Sequence, residues 1–430
     1  MRKLLPLLGY RADQNTDTGV GSGFRVISSV LRSGELLPVL VDPVTWVPRS
    51  LALRWVLFKR RYECAESTLR NNVDALRHLY AWGDARFEIG LERRVESAPL
   101  DPFDLLSLAE FLNTRGAPGP AEVGRRAVAA KMFLIWALSP SSRNQRGAEP
   151  MGARDYAEQI ETVLGPFASR VGEAREGEAP EEALLQRIDS LLAPVSSQGR
   201  FLVPLRWVTG NPFRRDTRLR NWLMWMVARD CGLRIGEILT LRMTDMQVIR
   251  GVQCAAVVRR PNAAEDTRLR RPSPKTLQRV LPLGPHATFA LGAYVTTRPP
   301  TGRRRGSPYL FTSRTGAPLS LSSADRLMDV LSTAVGHRIH WHALRHAWAD
   351  DIARGVLRAT LSGRSPSAAD AEAQKALLTE QLRLLGGWSE SSNMPMRYAR
   401  RAIKEYADAN LRVRQQERAR RILEYRASEQ

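Results

Sequence analysis

The sequence predicts a mainly α fold with a small β-sheet, an α+β chain organised as two domains with appendages. Three observations carry that prediction. At 430 residues with 43% apolar side chains, the chain exceeds the usual size of one compact domain and can bury more than one core. Apolar residues recur at helical spacing through most of its length. Two short β-branched runs bounded by prolines interrupt that pattern, both in the second half.

Residues 1–49 are rich in Gly and Val with little helical periodicity, as in Gly19-Val20-Gly21-Ser22-Gly23, and are expected to form an irregular N-terminal arm. From 50 to 171 the pattern turns helical, and four or five helices are expected. Leu69, Val73, Leu76 and Tyr80 share one face after the polar start Glu66-Ser67-Thr68. Asp101-Pro102 supplies a cap and a first-turn proline ahead of Phe103-Asp104-Leu105-Leu106. Apolar helices then fit Ala121 to Leu138 and Arg154 to Leu164. Residues 172–180 are mostly Gly, Ala and Glu with no large apolar side chain, which marks a flexible acidic linker.

The second domain, 181–410, opens with Leu184, Leu185, Ile188, Leu191 and Leu192, and continues in an apolar helix through Trp222 and Met226. Trp222 and Trp225 are read as core rather than as platforms for stacked bases, because the helix around them is apolar. Gln253 to Val258 and Arg279 to Leu283 read as short strands of a hairpin or small sheet. The loop between them carries Arg259, Arg260, Arg268, Arg270, Arg271, Lys275 and Arg279 against only Glu265 and Asp266. Helices resume at Ser323 and end in a basic tail helix, 411–430.

The 65 Lys and Arg outweigh the 44 Asp and Glu by 21, a balance that favours a polyanionic partner, of which nucleic acid is the commonest. Charge alone does not choose DNA over RNA. The absence of an apolar span of membrane length and of a lipidation signal argues against a membrane protein. Met1-Arg2-Lys3 with Leu4, Leu5 and Leu7 resembles the start of a signal peptide, but the apolar run stops at Arg11 and Asp13. Cys64, Cys231 and Cys254 form neither a metal-ligand pair nor an even disulfide set, and suit buried thiols in a reducing cytoplasm. Neither a metal site nor a cofactor is expected.

Chemistry on a phosphodiester needs a nucleophile, cations around the non-bridging oxygens, and an acid for the leaving alkoxide. Arginine suits the second role, because its planar fork donates two parallel hydrogen bonds and stays charged. Arg234 stands in Cys231-Gly232-Leu233-Arg234-Ile235-Gly236-Glu237, where one apolar helix breaks and another begins. Arg345 stands in His342-Ala343-Leu344-Arg345-His346, one helical turn after His342 and on its face. Each has a structural alternative: Arg234 as a buried ion pair with Glu237, His342 as a satisfied helix residue.

Gly-Leu-Arg-x-Gly-Glu, His-x-Leu-Arg-His, Leu-Gly-Gly-Trp and a following tyrosine resemble, in order and context, the tyrosine recombinase or phage integrase family. The resemblance is strong from Leu219 to Arg401 and only general before the linker, where it implies a core-binding domain. It implies that Arg234 and Arg345 grip the scissile phosphate and that His342 assists proton transfer. Trp388 would take the place often held by histidine, its indole N–H donating to a phosphate oxygen. Lys275 would protonate the departing 5′ oxygen, or be one phosphate contact among many. Glu237 would orient basic side chains, His346 would support the site, and Tyr398 would attack phosphorus, with Tyr406 and Tyr425 as competitors. A phenol, with a pKa near 10, is a poor nucleophile at neutral pH, so the cations must stabilise charge as it forms.

The resemblance further implies a clamp around double-stranded DNA, a 3′-phosphotyrosyl intermediate formed without metal or ATP, and a homotetramer on two DNA sites. Two rival functions stand beside it: a type IB topoisomerase, and a catalytically idle DNA-binding protein of the same fold. The sequence also departs from the family pattern. Trp388 and Tyr398 lie ten residues apart with Pro395 between them, which suggests that the tyrosine arrives on a reshaped loop. Forty-two residues separate Arg345 from Trp388, and Ser362-Gly363-Arg364-Ser365-Pro366-Ser367 suggests an inserted loop followed by a helix, in contact with DNA or a neighbouring subunit, or merely tolerated at the surface. Residues 397–430 hold ten Lys or Arg and five Asp or Glu. The resemblance implies that this tail packs on an adjacent subunit; docking on its own domain is the alternative.

Overall fold

The computed structural model describes residues 23–60, 64–139, 152–169, 179–197, 200–201, 204–260, 263, 265–268, 270–297, 307–359 and 368–428. The expected linker at 172–178 and the loop at 362–367 lie outside them. The chain divides into two compact units: residues 1–176 with 262–271, and residues 177–261 with 272–430.

The first unit opens with an antiparallel hairpin, β1 (Arg25–Val30) and β2 (Leu36–Val41), paired from Arg25↔Val41 to Val30↔Leu36. An irregular arm is therefore the wrong reading of 24–49. Every residue of β2 is buried, and Gly34, at φ +81°, makes the turn. Six helices follow: α1 (Ser50–Arg60), α2 (Glu66–Arg86), α3 (Gly90–Ser97), α4 (Pro102–Thr114), α5 (Pro120–Leu138) and α6 (Ala153–Ala168). Asp101 caps α4 by accepting the Asp104 amide at 2.8 Å. Leu40, Trp55, Leu76, Tyr80 and Phe133 form the centre of one core.

The second unit begins with α7 (Glu182–Leu192), the two-residue strands β3 (Ser196–Ser197) and β4 (Arg200–Phe201), and α8 (Arg218–Cys231). Trp222 and Trp225 of α8 are fully buried, in keeping with their reading as core. Gly232 ends α8 at φ +59°, where a Cβ would stand 2.2 Å from the Trp348 ring. Next come α9 (Ile235–Thr240) and a three-stranded antiparallel sheet in the order β5 (Met246–Ile249), β6 (Val252–Val257), β7 (Arg279–Pro282). β5 is not expected from the sequence. Arg250 and Gly251, at φ +50° and +80°, close its hairpin with β6.

The remaining helices are α10 (Pro285–Thr297), α11 (Leu321–Val335), α12 (Trp341–Ala359), α13 (Ala368–Gly386), α14 (Met394–Tyr398) and α15 (Arg400–Ser428). A main core joins α7 to α12, and a smaller cluster joins Trp348, Leu378, Leu382, Trp388, Tyr398 and Ala402. No helix among the described residues is long and apolar enough to cross a membrane.

Candidate active site

Where the two cores of the second unit meet, α12 brings Arg345 between the ends of two other helices. Its guanidinium is wholly buried, donating from Nη1 to the Gly232 carbonyl and from Nη2 to the Gly386 carbonyl, each at 2.7 Å. The glycines explain this approach. A Cβ on Gly386 would stand 2.0 Å from the Trp388 ring, and Gly387, at φ +66°, would bring one to 2.7 Å from Arg279 Nη1. The Leu-Gly-Gly-Trp run thus turns α13 sharply and lays the Trp388 indole under Arg345, whose guanidinium carbon is 4.2 Å from the ring centroid.

Arg234 also approaches that indole, 5.7 Å from its centroid. It is not ion-paired with Glu237, the alternative weighed from the sequence. Glu237 accepts the Arg234 amide at 2.9 Å, and its carboxylate pairs with Arg279 Nη2 at 2.9 Å and with the Thr276 hydroxyl. Burial raises the Glu237 pKa, but Arg279 and Thr276 outweigh it and hold the carboxyl below its ordinary range. Among the described residues the buried Nη1 of Arg234 has no hydrogen-bond partner.

Three buried N–H groups around this point have no hydrogen-bond partner among the described residues: Arg234 Nη1, Arg345 Nε and Trp388 Nε1. Buried donors are ordinarily paired, so this cluster is suited to an acceptor such as a bound anion. Burial and the neighbouring Arg234 also push the Arg345 pKa down to about 9, the signature of positive charge without enough compensation.

Tyr398 is buried, and its hydroxyl lies 2.9 Å from His342 Nε2. Burial, then His346 and Arg234, hold the His342 pKa down to about 4, so the ring is neutral at ordinary pH and Nε2 can accept the phenolic proton. Tyr398 also lies under Arg345, at 5.5 Å from ring centroid to guanidinium carbon. Tyr406 instead donates to Gln374 at 3.4 Å, and Tyr425 is exposed on α15. Tyr398 arrives on α14, not on a reshaped loop: Pro395 sits in the first turn, where its missing N–H costs no hydrogen bond.

Lys275 is the sequence candidate least drawn into the cluster. It is exposed, on a loop whose Ser273 and Thr276 touch Gly236 and Glu237. Residues 211–359 match the sequence model of the phage integrase family. That segment runs from just before α8 to the end of α12, and over it the chain is similar to the phage integrase family, the tyrosine recombinases. No curated protein sequence matches it. Among solved structures, XerH site-specific recombinase bound to palindromic difH substrate aligns at 14% identity and TM-score 0.49, covering 84% of each chain. XerA recombinase aligns at 14% and 0.35, covering 83% of this chain and 97% of its own. The Tn1549 transposon integrase in complex with circular intermediate DNA aligns at 14% and 0.48, covering 83% and 98%.

Two residues that organise this cluster escape a reading of the sequence. Arg279 looks like one more cation of a basic loop, yet it joins Glu237 to the Leu385 carbonyl, 2.7 Å from its Nε. Asp350 lies eight residues beyond His342, on the same face of α12, and accepts the Ala402 amide at 3.2 Å. That spacing was the available signal.

Proposed function

We propose that the site cuts and rejoins double-stranded DNA through Tyr398. The observation that carries this reading is the convergence of three unpartnered buried donors, on Arg234, Arg345 and Trp388, beside a tyrosine hydrogen-bonded to a neutral histidine. A scissile phosphate supplies the missing acceptors. Arg234 and Arg345 hold its non-bridging oxygens and stabilise the charge that builds there, and Trp388 donates its indole N–H. His342 takes the phenolic proton as Tyr398 Oη bonds to phosphorus. The bond to the 5′ oxygen breaks, Lys275 protonates that oxygen, and the product is a 3′-phosphotyrosyl ester with a free 5′ hydroxyl. A 5′ hydroxyl of a second duplex reverses the steps and joins new ends.

The ester keeps the energy of the bond it replaces, so the cycle balances without ATP. The long exposed α15 suits assembly of four copies on two DNA sites. A library of random-sequence nicked duplexes, from which the fragment carrying the 5′ hydroxyl diffuses away, tests the reading. The wild type should form adducts that survive denaturant, and Tyr398→Phe none. Equal attachment by Tyr398→Phe would remove Tyr398 from its role. Relaxation of supercoiled DNA without exchange between two marked duplexes of the recovered sequence would point to a topoisomerase instead.

A further inference from the structure

α14, which ends on Tyr398, has five residues, and Ala399 separates it from α15 with φ −93° and ψ 8°. A helix this short does not hold its own geometry. The direction of the Tyr398 side chain must therefore be imposed from outside, and α12 is the element that imposes it. His342, His346 and Asp350 follow one another at intervals of four residues and stand in line on one face.

Each meets a successive piece of the chain carrying the tyrosine. His342 meets the hydroxyl at 2.9 Å. His346 stacks on the phenol ring with centroids 4.2 Å apart and planes 20° apart. Asp350 Oδ1 accepts the Ala402 amide at 3.2 Å, one of the first-turn N–H groups of α15 that have no partner in their own helix. We propose that His346 and Asp350 are positioning residues that, with His342, mount Tyr398 on α12 at three levels, Asp350 fixing the register at which α15 leaves the site. This rests on Tyr398 being the nucleophile.

The chemistry of both residues fits mounting better than filling. Asp350 is 1% exposed and its Oδ2 has no hydrogen-bond partner among the described residues. Burial pushes its carboxyl up to about 6, although Arg354 on α12 and Arg401 on α15 pull the other way and Glu405 adds to the rise. An apolar residue would avoid that cost, whereas a carboxylate supplies the acceptor the α15 amide needs. Burial likewise holds His346 down to about 4, so it stacks as a neutral ring and adds no further cation beside Arg345.

The test is single-turnover attachment of the full-length chain to the duplex recovered above, with DNA affinity and melting temperature measured on the same preparations. Asp350→Ala should slow attachment at saturating DNA at least about tenfold while Kd stays within about twofold. Asp350→Asn keeps an oxygen for the Ala402 amide and should recover most of that loss, which a general loss of packing would not produce. His346→Phe, which keeps an aromatic ring on the phenol, should recover part of the rate that His346→Ala loses. Attachment by Asp350→Ala and His346→Ala at the wild-type rate would overturn the mounting and leave Tyr398 as nucleophile. So would rates that follow melting temperature alone, with no recovery in Asp350→Asn. No adduct from the wild type would overturn the nucleophile assignment and the mounting together.

Discussion

Asp350 carries its charge at a cost that pH can reveal. Its carboxyl titrates near 6 in the folded chain against an ordinary 3.8, with burial as the first cause. An acid whose pKa is raised by folding costs the folded state stability wherever it is ionised: nothing below about 4, an increasing amount between about 4 and 6, and the full amount above that. Asn at this position never ionises. The unfolding free energy of Asp350→Asn, relative to the wild type, should therefore rise between pH 4 and 7.5 by up to about 3 kcal/mol. Denaturant melts at the two pH values measure it, and a difference that does not change with pH would show that the carboxyl is not held in its raised state. The sequence singles out Arg234, His342, Arg345 and Tyr398 because each sits inside a short motif, and the fold brings the four together. Asp350 and Arg279 were not legible there, since their partners, the Ala402 amide and Glu237, become neighbours only when distant segments fold together.

Between elements, the Glu237–Arg279 pair ties α9 to the start of β7, and the Leu385 carbonyl adds the end of α13. The Glu237 side chain is 0% exposed and that of Arg279 6%. Removing one partner of such a pair strands a buried charge, at a cost of about 3–5 kcal/mol. Glu237→Ala should lose stability on that scale. Attachment to DNA should fall as well, because the Arg234 amide and the loop carrying Lys275 lose their common anchor. Chemical denaturation checks the first effect and covalent trapping the second; a loss below about 1 kcal/mol would mean that the carboxylate does not organise this junction. The helices were legible because their apolar residues recur at the spacing of a buried face. The strands were less so. Pro38 lies inside β2 and argues against a strand, but a two-stranded sheet has open edges where proline is tolerated. β5 is four residues long and mostly exposed, so its pairing with β6 through the Arg250-Gly251 turn leaves little apolar pattern to read.

For the whole molecule, the question is what α15 is for. The helix has 29 residues, and from Leu411 to Glu424 every described side chain is exposed, including Leu411 at 55%, Ile422 at 48% and Leu423 at 66%. Helices in water draw most of their stability from a packed face, and exposed i to i+4 pairs such as Arg420 with Glu424 add only about 0.3–0.5 kcal/mol each. A helix of this kind gains by burying Leu411, Ile422 and Leu423 against another molecule, at about 1.5–3 kcal/mol for each side chain fully covered. Within its own chain the first turns of α15 are already fixed, by Ala402 in the small core and by Asp350 on its amide. A chain ending at residue 410 should therefore melt within a degree or two of the full chain and form covalent adducts on a single duplex at a similar rate. It should fail to hold two duplexes together, which sedimentation of the DNA complexes measures directly. A fall in melting temperature of several degrees would place the tail on its own unit, and undiminished pairing of duplexes would remove it from assembly.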